Sequence, residues 1–204
     1  NVAKIVVQDD IANAPREEAQ NRRGMVGAVP LVKIAGAAAL VGKSLEEVAT
    51  LAQGFADNMA TLAVAASGAT NSATGMEIAQ VATGCMEVGV GLHGEAGKAK
   101  PMATAEETVG IMLDALLEDL NVLAEEKLMV IVSGSGATSL MEQLIVYRNC
   151  YAYLVEKEIE IVASHVGELM TVQEMAGFEI CIARMNEELV EYWNAPCRTP
   201  YFKK

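Results

Sequence analysis

The chain has 204 residues and a formal charge of −12, and it is 52% apolar but only 4% aromatic. That apolar content excludes intrinsic disorder, and an electronegative surface is disfavoured against phosphate backbones and anionic membranes, so neither direct nucleic-acid binding nor membrane attachment is expected. Cys85, Cys150, Cys181 and Cys197 form no paired motif, which excludes a disulfide scaffold and fits a reducing, cytoplasmic setting.

Residues Ala3 to Val7 form a short apolar run closed by Asp9-Asp10, and they predict a strand entering a loop. Arg22-Arg23 follows as a doublet whose ordinary role is a solvated pair. Pro30 suits the first turn of a helix through Leu40, rich in Ala and Gly, with Gly42 as its stop. Ser44 and Glu47 make a capping box for a second helix carrying Val48, Leu51, Ala52, Phe55 and Met59 at helical spacing. Thr61 to Ala66 predicts a buried strand and residues 67–75 a polar loop. The stretch 85–97, CMEVGVGLHGEAG, alternates like a strand and ends in glycines.

Thr104 and Glu107 make another capping box, ahead of a long helix with Val109, Met112, Leu113, Leu116, Leu117 and Leu120 on one face. Leu128 to Val132 predicts a buried strand, SGSGATS a turn, and Ser139 to about Glu156 a helix. Ile159 to Val166 predicts a strand holding His165 as a structural histidine. Phe178, Ile180 and Ile182 alternate with Glu179, Cys181 and Ala183, the pattern of a strand with one face covered. The end, from Trp193, is broken by prolines and expected to be irregular.

Strands alternating with long helices predict an α/β fold of layered mixed sheets with helices on the faces. The composition shift near Asn58–Gly75 suggests two units: residues 1–60 as the closing portion of a first α/β domain, and residues 61–204 as a second, more complete one.

The strongest chemical feature is His93, set among Gly89, Gly91, Gly94 and Gly97. Glycines permit positive φ and remove side chains, so a ligand or another backbone can approach the ring. A neutral imidazole there can serve as base, metal ligand or nucleophile, or the histidine can be an ordinary turn residue. Glu87 and Glu95 both lie near enough in sequence to orient it. No HxxxH, HxH or CxxC spacing supports a metal site. SGSGATS lacks the lysine of a nucleoside-triphosphate loop and reads as a capped strand–helix turn.

Taken together, MEVGVGLHGEAG (86–97), RRGMVGAVPLVKIAGAAALVGKSLEEV (22–48), SLMEQLIVYR (139–148), MTVQEMAGFEI and YWNAPCRTP resemble, in order, the dihydroxyacetone-binding subunit of dihydroxyacetone kinases. The resemblance runs from about Val6 to the end. It implies a cytoplasmic homodimer that binds short ketoses, chiefly dihydroxyacetone, with the histidine matching His93 attached covalently to the ketone carbon as a hemiaminal, and Gly91, Gly94 and Glu95 around the substrate. It also implies no cofactor on this chain, since the nucleotide (ADP or ATP with Mg) sits on a partner kinase subunit and, in the bacterial version, is recharged through the phosphotransferase system. Family members are longer at the N-terminus, where a glycine-rich segment with a second histidine and a segment with an aspartate base are found. The chain is therefore expected to be part of a longer protein and inactive alone. Ser139 stands where proline is usual, Val172-Gln173 where Ser-Leu is usual, and Asn194 where Asp is common. These departures favour an alternative, a non-catalytic ketose-sensing paralog acting as a co-activator through a protein partner.

Overall fold

The computed structural model describes residues 1–93 and 95–204. A 3-10 turn, Arg16–Asn21, precedes α1 (Ala28–Leu40) and α2 (Leu45–Asp57). There follow β1 (Met59–Ala65), a two-residue pair β2 (Ala69–Thr70) and β3 (Glu77–Ile78), β4 (Cys85–Val88), β5 (Lys98–Pro101) and α3 (Ala105–Leu120). The chain continues as β6 (Lys127–Gly134), α4 (Leu140–Glu156), β7 (Glu160–Gly167), β8 (Gly177–Arg184) and α5 (Glu187–Asn194). Six strands form one sheet in the order β5-β4-β1-β8-β6-β7, with β6 and β7 parallel and the other neighbours antiparallel. This is the expected mixed α/β architecture.

Four of the five α-helices begin at a residue whose side chain caps them; α1 begins at Gly27 without one. Ser44, Thr104 and Ser139 each accept from the backbone N–H three residues on, while Glu47, Glu107 and Glu142 reach back to the cap residue's N–H. Three orphan-donor problems are solved locally. The apolar faces then choose a side of the sheet. Met112, Leu113 and Leu116 of α3 and Val146, Cys150 and Leu154 of α4 pack on Leu62, Val64, Val130, Ile180 and Ile182. On the other face Ile34 and Ala38 of α1, Phe55 of α2, and Leu189 and Trp193 of α5 cover Met129, Ile131, Cys181 and Ala183. Each large side chain so buried contributes roughly 1.5–3 kcal/mol. The helices that precede residue 60 thus share one apolar layer with strands that follow it.

Three expectations need correction. Ala3 to Val7 form no strand. The free edge of β1 is taken by Asp9 to Ile11, where Thr61 N–H donates to the Asp9 carbonyl at 2.7 Å and Ile11 N–H to the Thr61 carbonyl at 3.1 Å, and by β4 further along. Val7 and Ile5 instead pack against the second apolar layer. Next, β8 is covered on both faces, because α1 and α5 lie over the side that carries Cys181 and Ala183. Glu179 shares that side and is wholly buried. Third, Asn186 caps a helix, α5, before the irregular end begins.

Burial pushes the Glu179 carboxyl up to about 8, and the nearby Asp9 and Asp10 carboxylates add to the shift against the Val26 N–H that opposes it. Asp9 is buried beside it and also raised, mainly by burial, although it accepts from Met25 N–H (2.7 Å), Gly27 N–H (3.0 Å) and the Thr61 hydroxyl. Gly27 is required by this closeness: a Cβ there would stand 2.5 Å from Asp9 Oδ2. A second clasp joins the same segment to α3, where Arg22, its side chain 0% exposed, and Arg16 both pair with Asp119.

Two outcomes follow from these clasps. Asp119→Asn leaves a buried guanidinium without its carboxylate, and urea denaturation should show a loss of about 3 kcal/mol. An acid with a folded pKa above its unfolded one holds a proton that unfolding releases, so stability should fall as pH rises from about 4.5 to about 8. Glu179→Gln should make that slope shallower; an unchanged slope would show that another group sets it.

Candidate functional site

The loop 89–97 joins β4 to β5 and is built to be stiff at its base and open at its tip. Gly89 makes the exit turn at φ +91, with its N–H on the Ala63 carbonyl at 2.7 Å. Gly91 N–H donates to the Glu95 carbonyl (2.9 Å), and Gly97 N–H donates to Glu87 Oε2 (2.9 Å). Of the two acids near His93 in sequence, Glu87 is therefore occupied in closing the loop, and Glu95 faces the histidine. Glu95 Oε2 accepts from His93 N–H at 2.9 Å, and Oε1 lies 3.5 Å from His93 Nδ1. The His93 side chain is 88% exposed.

Behind Glu95 stands a relay that the sequence did not disclose. Arg23 Nη1 lies 3.5 Å from Glu95 Oε1, and Arg23 Nε donates to Asp10 Oδ2 at 2.8 Å. Asp10 also accepts from Ala12 N–H and is paired through its backbone to Thr61 of β1. Burial raises the Asp10 carboxyl above its ordinary value while Ala12 N–H and Arg23 oppose the shift. For Glu95, burial acts upward but is outweighed by the Glu95 and His93 N–H groups and by Arg23, so its carboxyl sits below the usual range. A Cβ on Gly91 would collide with both the Glu95 carboxylate and the Arg23 guanidinium, which explains the glycine. The arginine doublet is therefore not a solvated pair: Arg22 is buried against Asp119 and Arg23 braces the loop. The matched doublets Asp9-Asp10 and Arg22-Arg23 were the available signal.

Gly94, the remaining candidate, lies outside the described residues. Gly91, His93 and Glu95 lie together in the loop. Three of the SGSGATS hydroxyls are used internally: Ser133 Oγ accepts from Leu169 and Met170 N–H, Thr138 Oγ1 donates to the Gly177 carbonyl, and Ser139 caps α4. His165 packs against Phe202 with ring centroids 5.0 Å apart. Among the described residues no cluster of three His, Cys, Asp or Glu is placed to hold a metal.

Chemically, a carboxylate beside Nδ1 favours the tautomer protonated there, which leaves the Nε2 lone pair free and facing solvent. That is the arrangement of an oriented nucleophile. Because the Arg23–Glu95 pair is partly exposed, it is worth under about 1 kcal/mol. Glu95→Gln should therefore raise hydrogen exchange at Gly91 and His93 roughly fivefold while leaving β1 unchanged; equal protection in the variant would show that the pair does not brace the loop.

A family model described as the Dak1 domain matches residues 1–201. The chain is 36% identical over 203 residues to the dihydroxyacetone-binding subunit DhaK of the PTS-dependent dihydroxyacetone kinase 2 of Listeria innocua, covering 99% of this chain and 61% of that one. It is 35% identical to the L-erythrulose kinase of Pectobacterium atrosepticum, covering 98% of this chain and 35% of that protein. Among solved structures, the dihydroxyacetone kinase operon co-activator Dha-DhaQ superposes with a TM-score of 0.87 at 26% identity, over 94% of this chain and 60% of that one. The dihydroxyacetone kinase of C. freundii does so with a TM-score of 0.79 at 27% identity, over 94% and 34%. The chain thus spans between about a third and three fifths of these proteins. With sequence and fold in agreement, the chain belongs to the Dak1 domain family.

Proposed function

We propose that this chain is the ketose-capturing part of a dihydroxyacetone kinase subunit, with His93 as the covalent anchor. The observation that carries this reading is the exposed imidazole with Glu95 Oε1 3.5 Å from its Nδ1, on a loop braced through Arg23 to Asp10. Nε2 attacks the ketone carbon, the C=O π pair moves to oxygen, and the ring loses its Nδ1 proton as the alkoxide gains one. The net change is addition of N–H across C=O, with no water lost. A three-carbon ketose offers little surface, so non-covalent affinity is limited and a covalent bond supplies what contact area cannot. Glycerol, with no carbonyl, is rejected by the same chemistry.

In this reading Gly91, Gly94 and Glu95 surround the substrate. A nucleotide with Mg, held on a partner kinase subunit and recharged through the phosphotransferase system, supplies the phosphoryl group to a terminal hydroxyl. The working assembly is a cytoplasmic homodimer, and this chain alone is inactive. Relatives named for erythrulose as well as for dihydroxyacetone support short ketoses as the substrate class.

The test is direct. Incubated with isotope-labelled dihydroxyacetone, the protein should gain the full mass of one ketose, and the labelled ketone carbon should move to the tetrahedral region of the NMR spectrum. His93→Ala should abolish both signals. No adduct in the parent, or an adduct retained in the variant, would defeat the assignment. A second reading, a non-catalytic ketose sensor acting as a co-activator, is favoured by the likeness to Dha-DhaQ and by Ser139, Val172-Gln173 and Asn194. It expects the His93 adduct but no dihydroxyacetone phosphate when a nucleotide-bearing partner subunit is added.

A further inference from the structure

A cleft of about 530 Å³ opens between α1 and the C-terminal segment, and it shares no residue with the 89–97 loop or its braces. Val29, Val32, Ala37 and Leu40 form one wall, and Pro196 and Phe202 the other. Val32 and Leu40 are largely exposed. The volume is in the range of small-molecule sites.

One charged side chain lines this apolar cleft. Lys33 is only 8% exposed, and its Nζ donates to the Tyr192 carbonyl at 2.6 Å. Among the described residues no carboxylate pairs with it, and burial pulls its pKa below the ordinary lysine value, opposed by Cys197 alone. A cation withdrawn from water without a counter-ion is costly, and an anion entering the cleft would relieve that cost. Past Cys197 the opening continues into a shallower recess lined by Arg198, Lys203 and Lys204. Lys204 Nζ lies 4.6 Å from the Trp193 ring centroid, close to the buried end of the cleft wall. None of the residues lining either recess is acidic, although the chain as a whole carries a charge of −12. Apolar walls, a buried unpaired ammonium and a cationic mouth select one kind of guest.

We propose that this cleft binds a single-chain amphiphile with an anionic head, of the fatty-carboxylate kind, its tail along α1 and its carboxylate on Lys33. Gly36 provides a clean probe. It lies in the helical wall of the cleft, and a Cβ there meets nothing within 4 Å, so a larger residue fills the cleft without disturbing the fold. Glycine within a helix is also a poor helix former, so its replacement should not lower stability.

Dodecanoate, below its micelle concentration, should bind the full chain saturably at one site by calorimetry. Butyrate and dodecyltrimethylammonium should each bind at least roughly tenfold more weakly. Lys33→Met should weaken dodecanoate roughly tenfold and erase the preference for an anionic head. Gly36→Leu should abolish binding with a melting temperature no lower than that of the parent. Absence of saturable binding, equal binding of the cationic amphiphile, or binding that survives Gly36→Leu would overturn the proposal. So would a concentration-dependent dimer in sedimentation that Gly36→Leu dissolves, since that would assign the cleft to a second copy of the chain.

Discussion

A carboxyl group on the covered face of a central strand has to be given polar partners, and in this fold the start of α1 is brought to it. Glu179 lies on β8 under α1, and Asp9 lies beside it along the edge of β1. Between them they accept from Met25, Val26 and Gly27 N–H, the three residues that lead into α1. The positive end of the helix dipole favours acids at this place. That arrangement fixes where the N-terminal segment runs. Asp9 cannot reach these donors unless residues 9–11 lie along β1, and once they do, Asp10 is delivered to Arg23 and Arg23 to the loop that carries His93. The geometry of the candidate site is thus set by an acid knot that touches no part of it.

What was legible in the sequence is what short-range physics decides. The Ser44 and Thr104 capping boxes and the apolar spacing of α3 involve groups within a few residues of one another, and they formed as written. The loop glycines are only partly of this class: the positive φ of Gly89 is local, but the crowding at Gly91 comes from Arg23 as well as from Glu95. What was not legible depends on which surfaces meet. Alternation along Phe178–Ala183 is equally compatible with one covered face or two, and only α1 and α5 decide that Glu179 is buried. The extended preference of Ala3–Val7 is real, yet a strand needs an unfilled edge, and the edge of β1 was already taken. The pairing of Arg22 with Asp119, 97 residues away, leaves no trace in local pattern at all. Glu95 was within reach of sequence reasoning; for Arg23 and Asp10, which hold it, the sequence offered only the matched doublets and not their pairing.

The site shows how rigidity and access are divided. The His93 side chain is 88% exposed, so packing cannot fix its orientation. The backbone does so instead: Glu95 holds the His93 N–H and lies beside Nδ1, the Gly91–Glu95 bond closes the loop, and Glu87 secures its far end. The sheet provides rigidity at Val88 and Lys98, and Gly91 leaves room for the Glu95 carboxylate and the Arg23 guanidinium. The low aromatic content fits the proposed capture through a single bond to a carbonyl, which needs no stacking surface.

Capture and transfer are separate chemical tasks, and the groups around His93 are suited to the first. Phosphorylating a terminal hydroxyl calls for a base that accepts its proton, and a good base at neutral pH has a pKa raised toward that pH. Glu95, the carboxylate beside the imidazole, is moved the other way: its own N–H, that of His93 and Arg23 outweigh burial and hold its pKa down. Asp10 is engaged by Arg23 and turned inward. A carboxylate tuned to stay ionised orients a histidine and stabilises positive charge on its ring as a C–N bond forms, but it is a weak acceptor for an alcohol proton. On the proposed reading, the electrostatics that would make His93 an anchor make Glu95 a poor base for phosphoryl transfer, and Asp10, though raised by burial, is tied to Arg23.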